Sequence, residues 1–177
     1  MTVRIRLQPG FFAGLALLLI LDDTLPWLLL LTVAVHELGH LLALQCQKAD
    51  YAVLTLGAGG GIIDCAPLDR GQLALTALAG PAASLLWALM MLRPAPSAAL
   101  LSLTVAGFNL LPISPLDGGM ALRAAVGDMA ASVVGALMLG ALLAAAVLLR
   151  PLLGWWVVAA AGWITLRAAV AAYTAAR

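Results

Sequence analysis

Two histidines and one glutamate are all the chain has of those residue types. They fall together as His36-Glu37-Leu38-Gly39-His40, inside the apolar run Leu25–Gln45. On a helix, positions i and i+4 point the same way, so both imidazoles can reach one metal ion. Glu37 then lies about 100° round the helix from His36, beside that ion but outside its ligand shell. Two neutral imidazoles suit Zn²⁺, one ion per chain, and leave positions open for a third ligand and a water. The adjacent carboxylate can take that water's proton, which is the chemistry of metal-assisted hydrolysis. The simpler reading is a pair of buried histidines satisfied by polar neighbours in a helix bundle. It leaves a lone glutamate in an apolar helix without a purpose, and that is costly.

The site needs a third ligand, and no histidine remains. The carboxylates on offer are Asp22, Asp23, Asp50, Asp64, Asp69, Asp117 and Asp128. Most fall at the ends of apolar segments, where a solvated charge is ordinary. Asp117 differs, because it sits in Asn109-Leu110-Leu111-Pro112-Ile113-Ser114-Pro115-Leu116-Asp117-Gly118-Gly119, an interrupted helix between apolar segments. Two prolines leave carbonyls unpaired, which a membrane tolerates only where protein or a water-filled cavity receives them. An aspartate at such a break is a candidate functional residue. It could also be a helix cap bonding the Gly118-Gly119 amides.

The elements that must position these residues belong to a membrane protein. Of 177 residues, 64% are apolar and 10% charged, far from the balance of a soluble domain. The expected fold is an all-α integral membrane protein, a single domain over residues 1–177. About six spans are expected, near Ile5–Leu21, Leu25–Gln45, Gly71–Leu92, Ser97–Asn109 resuming as Leu116–Val126, Ala130–Leu149 and Leu152–Tyr173. The first is poor, since Gln8-Pro9-Gly10 interrupts it. Asp22-Asp23-Thr24 is expected to cap the second, with Pro26 in its first turn. The third carries Ala79-Gly80-Pro81-Ala82-Ala83-Ser84, small residues that allow another backbone to come close. Between the second and third, Tyr51–Leu56, the glycines Gly57 and Gly59–Gly61, and Ile62-Ile63 predict a short β-hairpin or membrane-associated strand. Trp155 and Trp156 suit an interfacial belt.

Charge orients the bundle. With the N-terminus inside, Arg4, Arg6, Lys48, Arg70, Arg123 and Arg177 are cytoplasmic and Arg167 lies towards that side, against Arg93 and Arg150 outside. Both termini are then cytoplasmic, and the histidines lie in the cytoplasmic half of their span. Cys46 and Cys65 fall on the same side, where thiols stay reduced. A net charge of +1 without a basic patch argues against nucleic acid as a partner.

HELGH on one apolar segment, AGP on a later one and NLLPISPLDGG on the next resemble the site-2 protease family of intramembrane zinc metalloproteases. The arrangement is most similar to the compact sporulation factor IVFB-like branch. The motifs cover roughly Leu25–Val126, and the remainder matches by span pattern. The resemblance implies a zinc held by His36, His40 and Asp117, with Glu37 activating a water to hydrolyse a peptide bond of a membrane-protein substrate. It also implies a β-element after the HELGH helix onto whose edge an unwound substrate adds as a strand, which makes Gly59 and Gly60 candidates for substrate binding. Asn109 would bind the substrate or polarise its carbonyl. Ser84 stands where the family commonly has asparagine, a few residues after AGP, and joins that group of candidates.

Its partners would be the lipid bilayer of a bacterial cell and a substrate with a membrane-associated segment. No PDZ-like or CBS-like module lies within the 177 residues, so separate membrane proteins are the expected regulators; the oligomeric state is open. The competing class is a non-enzymatic zinc-binding membrane protein such as a metal transporter or sensor. Glu37 discriminates, because transport has no need of a non-ligand carboxylate beside the histidines.

Overall fold

The computed structural model describes residues 1–21, 24–57 and 60–175. They divide into two compact units, Met1–Phe108 and Asn109–Arg177. Asp22, Asp23 and Gly59 lie outside the described residues, and so does Arg177.

The first unit opens with strand β1 (Thr2–Leu7) and helix α1 (Pro9–Leu21). The expected first span is therefore corrected: its beginning, Ile5–Leu7, is strand. Val3, Ile5 and Leu7 alternate with Arg4 and Arg6, a period of two that suits a strand with unlike faces. Pro9 then starts the helix, where its missing N–H costs nothing. With 13 residues, α1 is about 20 Å long, short of a bilayer's hydrocarbon thickness.

Helix α2 (Leu25–Cys46) follows, with Thr24 as its N-cap residue and proline in the first turn. Its buried positions include Thr32, His36, His40 and Leu44, four residues apart and so on one face. The hairpin forms as expected from β2 (Tyr51–Gly57) and β3 (Gly60–Cys65), paired antiparallel with Gly57 opposite Gly60. Gly60 has φ +107°, a conformation a side chain would oppose. The sheet gains a third strand that the expected hairpin lacked. β1 pairs parallel to β2, Thr2 opposite Tyr51 through Leu7 opposite Leu56, giving the order β1-β2-β3.

Helix α3 (Arg70–Met91) begins at a capping box. Asp69 accepts from the Gln72 amide at 2.8 Å, and the Gln72 side chain accepts from the Asp69 amide at 3.0 Å. Ala77, Gly80, Pro81, Ser84 and Ala88 make its buried face, a small-residue stripe that packs against α2. A Cβ on Gly39 would stand 2.5 Å from the Ala79 carbonyl oxygen, so the two backbones meet there with no room for a side chain. Helix α4 (Pro96–Asn109) buries Ala98, Ala99, Ser102 and Ala106. Ser102 donates to the Ser84 carbonyl at 2.8 Å, tying α4 to α3.

The second unit begins with the break. Leu110–Leu116 is irregular, held by Ile113 N–H to Leu111 O and Leu116 N–H to Ile113 O, both 2.8 Å, and contains a cis Ser114–Pro115 bond. Helix α5 (Asp117–Val126) resumes the chain. Gly127, at φ +86°, separates it from α6 (Asp128–Leu153), and α7 (Trp155–Ala175) packs on α6. Arg123 and Asp128 bridge the α5–α6 corner at 2.8 Å. Among the described residues, α2, α3 and Asp128–Leu152 of α6 are long and apolar enough to cross a membrane. The described residues are therefore predominantly helical, with three candidate spans and one small sheet, where about six spans were expected. Leu137 and Leu148 on α6 are 70% and 77% exposed, as side chains facing lipid would be.

Candidate metal centre

The histidines, their supporting groups and Glu37 gather within the first unit. His36, Glu37 and His40 are buried on α2, in an otherwise apolar helix. The Nε2 atoms of His36 and His40 face one another at 3.2 Å, with the rings at 79°. Bonds of about 2.0–2.1 Å to one tetrahedral zinc would place two nitrogens about 3.3 Å apart. The pair therefore has the spacing that a shared zinc requires.

Helix α3 sets the rings. His40 Nδ1 donates to the Thr76 carbonyl at 2.7 Å; a carbonyl can only accept, so this nitrogen carries the proton and Nε2 presents its lone pair. His36 Nδ1 lies 3.0 Å from Ser84 Oγ, which is fully buried. Nδ1 partners that free Nε2 for a metal are the usual support of a ligating histidine. Gly80 makes the approach possible, because a Cβ there would collide with the His40 ring. Pro81, next in sequence, is a helix-interior proline, so it offers no amide to the Ala77 carbonyl one turn earlier.

Glu37 meets the sheet. A Cβ on Gly61 of β3 would collide with the Glu37 carboxylate, so the strand backbone lies directly against the acid. Gly60 is the neighbouring strand residue, exposed and next to the turn. Among the described glycines of the run, Gly61 is thus the one seated on Glu37. The run itself was visible in the sequence, but which glycine it would be depends on hairpin register. Thr76 was invisible for a different reason, since it acts through a main-chain carbonyl that every residue possesses.

Asn109 and Asp117 lie in the second unit, at the two ends of the break. Asn109 closes α4 and Asp117 is the first residue of α5, half-buried. The N-cap position belongs to Leu116, so Asp117 is not the cap. A carboxylate in a helix's first turn is nonetheless favoured by the helix dipole. Gly118 and Gly119 let the break fold back on α5: a Cβ on either would collide with the backbone of Leu110 or Ile113. The spacing DGG therefore has a packing reason at this turn.

No protein-family model matches the chain, and no curated protein matches it either. A solved structure does. The site-2 protease from Methanocaldococcus jannaschii is similar with a TM-score of 0.70 and 23% identity, over 97% of this chain and 91% of that one. The chain has the fold of a site-2 protease.

Proposed function

We propose that this protein is an intramembrane zinc metalloprotease, hydrolysing peptide bonds in or near the membrane-associated segments of membrane proteins. The observation that carries the reading is the His36–His40 pair, its Nε2 atoms 3.2 Å apart with a buried carboxylate one residue from His36. The fold of a solved site-2 protease supports it. With Asp117, the third ligand that the likeness of the motifs to the site-2 proteases implies, His36 and His40 make two imidazoles and one carboxylate, a donor set suited to catalytic zinc. A zinc bound there would polarise the scissile carbonyl and acidify a water near neutral pH.

The chain's own residues do the rest. Glu37, outside the ligand set, receives the proton given up in the attack and returns it to the leaving amine. Its burial beside β3 keeps the carboxylate from bulk water and fixes where it points. A substrate helix has every amide bonded internally, so it must unwind before attack; the hairpin, with Gly60 at its end, offers a strand edge on which it can lie. Asn109 would bind the opened backbone. The 177 residues act as one membrane domain of the sporulation factor IVFB-like kind. It is integral to a bacterial cell membrane with both termini cytoplasmic.

Cleavage of a tagged single-span substrate, with bound zinc measured alongside, tests the ligand set. His36→Ala, His40→Ala and Asp117→Ala are each expected to lose both zinc and cleavage. Full zinc content in Asp117→Ala would remove that residue from the site.

A further inference from the structure

Strand β1 overhangs the rest of the sheet. Residues paired in register point to the same face, so the pairing sorts the three strands into two sides. On one side Val3, Ile5 and Leu7 line up with Ala52, Leu54 and Leu56. Leu56 in turn stands opposite Gly61, the residue against Glu37 of α2, so this side faces the helices. Ala52 and Leu54 are covered there, 0% and 5% exposed, whereas Val3, Ile5 and Leu7 are 42%, 64% and 48% exposed. The apolar row therefore runs on past the protein that covers it. On the other side Arg4 and Arg6 stand exposed, and neither forms an ion pair with a described residue. Asp64 shares that side but lies across Val53 from Arg4, two strand spacings or about 10 Å away.

Two limits set where such a strand can lie. Apolar side chains on the helix side favour acyl chains over water. The backbone sets the opposite limit. The Thr2 amide donates to Asp50 O and the Gln8 amide to Leu56 O. The even-numbered residues thus bond β2, and Val3, Ile5 and Leu7 turn their amides and carbonyls to the edge of the described sheet. Hydrocarbon does not tolerate such groups unpaired. The headgroup layer satisfies both limits, because its phosphates accept from edge amides and from the guanidinium forks of Arg4 and Arg6. Thr2, Arg4, Tyr51, Ala52 and Val53 line a groove of about 430 Å³, room for a phosphate headgroup. A second copy of β1 suits this edge poorly. Antiparallel pairing about Ile5 sets Arg4 against Arg6, and parallel pairing in register sets each arginine against itself.

We infer that β1 is an interfacial strand that binds anionic phospholipid, with Val3, Ile5 and Leu7 at the acyl boundary and Arg4 and Arg6 on headgroup phosphates. The inference needs a chain in a membrane and not the zinc reading, so either can fail without the other. Because β3 of the same sheet lies against Glu37, lipid held by β1 also sets the depth of the sheet beside that acid.

The full chain, carrying Cys46→Ser and Cys65→Ser, is spin-labelled in turn through Val3→Cys, Arg4→Cys, Ile5→Cys, Arg6→Cys and Leu7→Cys. Each is reconstituted in vesicles of phosphatidylcholine and phosphatidylglycerol. Collision with dissolved oxygen reports lipid, and collision with a soluble nickel chelate reports water. The expected pattern alternates, with oxygen favoured at Val3, Ile5 and Leu7 and nickel at Arg4 and Arg6. Native mass spectrometry of the detergent-solubilised chain then reads the lipid itself. Phosphatidylglycerol is expected to be retained over phosphatidylcholine. Arg4→Gln and Arg6→Gln should each lower that preference about fivefold, the scale of one basic residue at an anionic surface, and Arg93→Gln should leave it unchanged. Nickel access at every labelled position would overturn the inference. So would shielding of every position from both reagents, which would give the edge to a protein strand. Equal retention of the two lipids, or an equal loss in Arg93→Gln, would overturn it too. Inorganic phosphate that displaced the lipid would assign the groove to a soluble anion instead. Arg4→Gln and Arg6→Gln change exposed side chains only, so the lipid comparison decides if a labelled variant fails to fold.

Discussion

Two glycines set the position of the reacting groups by having no side chain. The His40 ring lies over Gly80 and the Glu37 carboxylate against Gly61, so each marks a place where a methyl group would displace chemistry and not merely crowd a core. Gly80→Ala is expected to push the His40 ring away from Thr76 and lower bound zinc, at a folding cost of about 1–3 kcal/mol. Zinc content and thermal unfolding of the purified variant check both halves. Gly61→Ala should instead keep zinc and lower cleavage, since it strikes the acid and leaves the ligands alone. Equal zinc loss in the two variants would mean that the strand supports the whole site. Of these residues, the histidines and Glu37 were legible because the chain has no others of their kind. Thr76 was not legible, and Ser84 appeared only as a substitution for asparagine, because hydrogen-bond partners across helices depend on packing that a linear sequence does not display.

At the scale of elements, local signals served well where the structure is local. The Pro26 start, the small-residue stripe of α3 and the glycine-linked strands each carry their cause in adjacent residues, and α2 and α3 fall within one residue of their expected ends. Strand β1 is the counterexample. Its alternation of Val3, Ile5 and Leu7 with Arg4 and Arg6 was on view. Its parallel partner, though, is Tyr51–Leu56, far away in sequence, and the apolar run of α1 that follows drew the segment into a span. The sheet also shapes the chemistry of Cys65 on β3. Burial, and then the negative charge of neighbouring Asp64, push its thiol above the ordinary cysteine value. Deprotonation therefore needs a more alkaline pH, and alkylation of Cys65 should rise only there. Asp64→Asn removes the charge and should move that rise to lower pH, by less than the whole displacement because burial remains. An unchanged alkylation profile in Asp64→Asn would contradict this account of the strand.

For the molecule as a whole, hydropathy predicts a membrane protein, and three described helices have the length and apolarity to cross. The short helices α1 and α4 were harder to interpret, since helices of 13 or 14 residues fit a partial span as well as a buried helix. The proposed orientation places the exposed Cys46, at the end of α2, on the cytoplasmic side. A membrane-impermeant maleimide should therefore label Cys46 in inside-out vesicles and spare it in intact cells. The reverse pattern would invert the topology and place the histidines in the outer half of their span.

In the proposed function Glu37 is the base of a zinc hydrolase. Its most direct test is Glu37→Gln, with cleavage of a single-span substrate in membranes and bound zinc measured on the same preparation. The expected result is wild-type zinc with cleavage lowered by at least about a hundredfold, the scale of a missing general base. Full cleavage in Glu37→Gln would contradict the assignment outright.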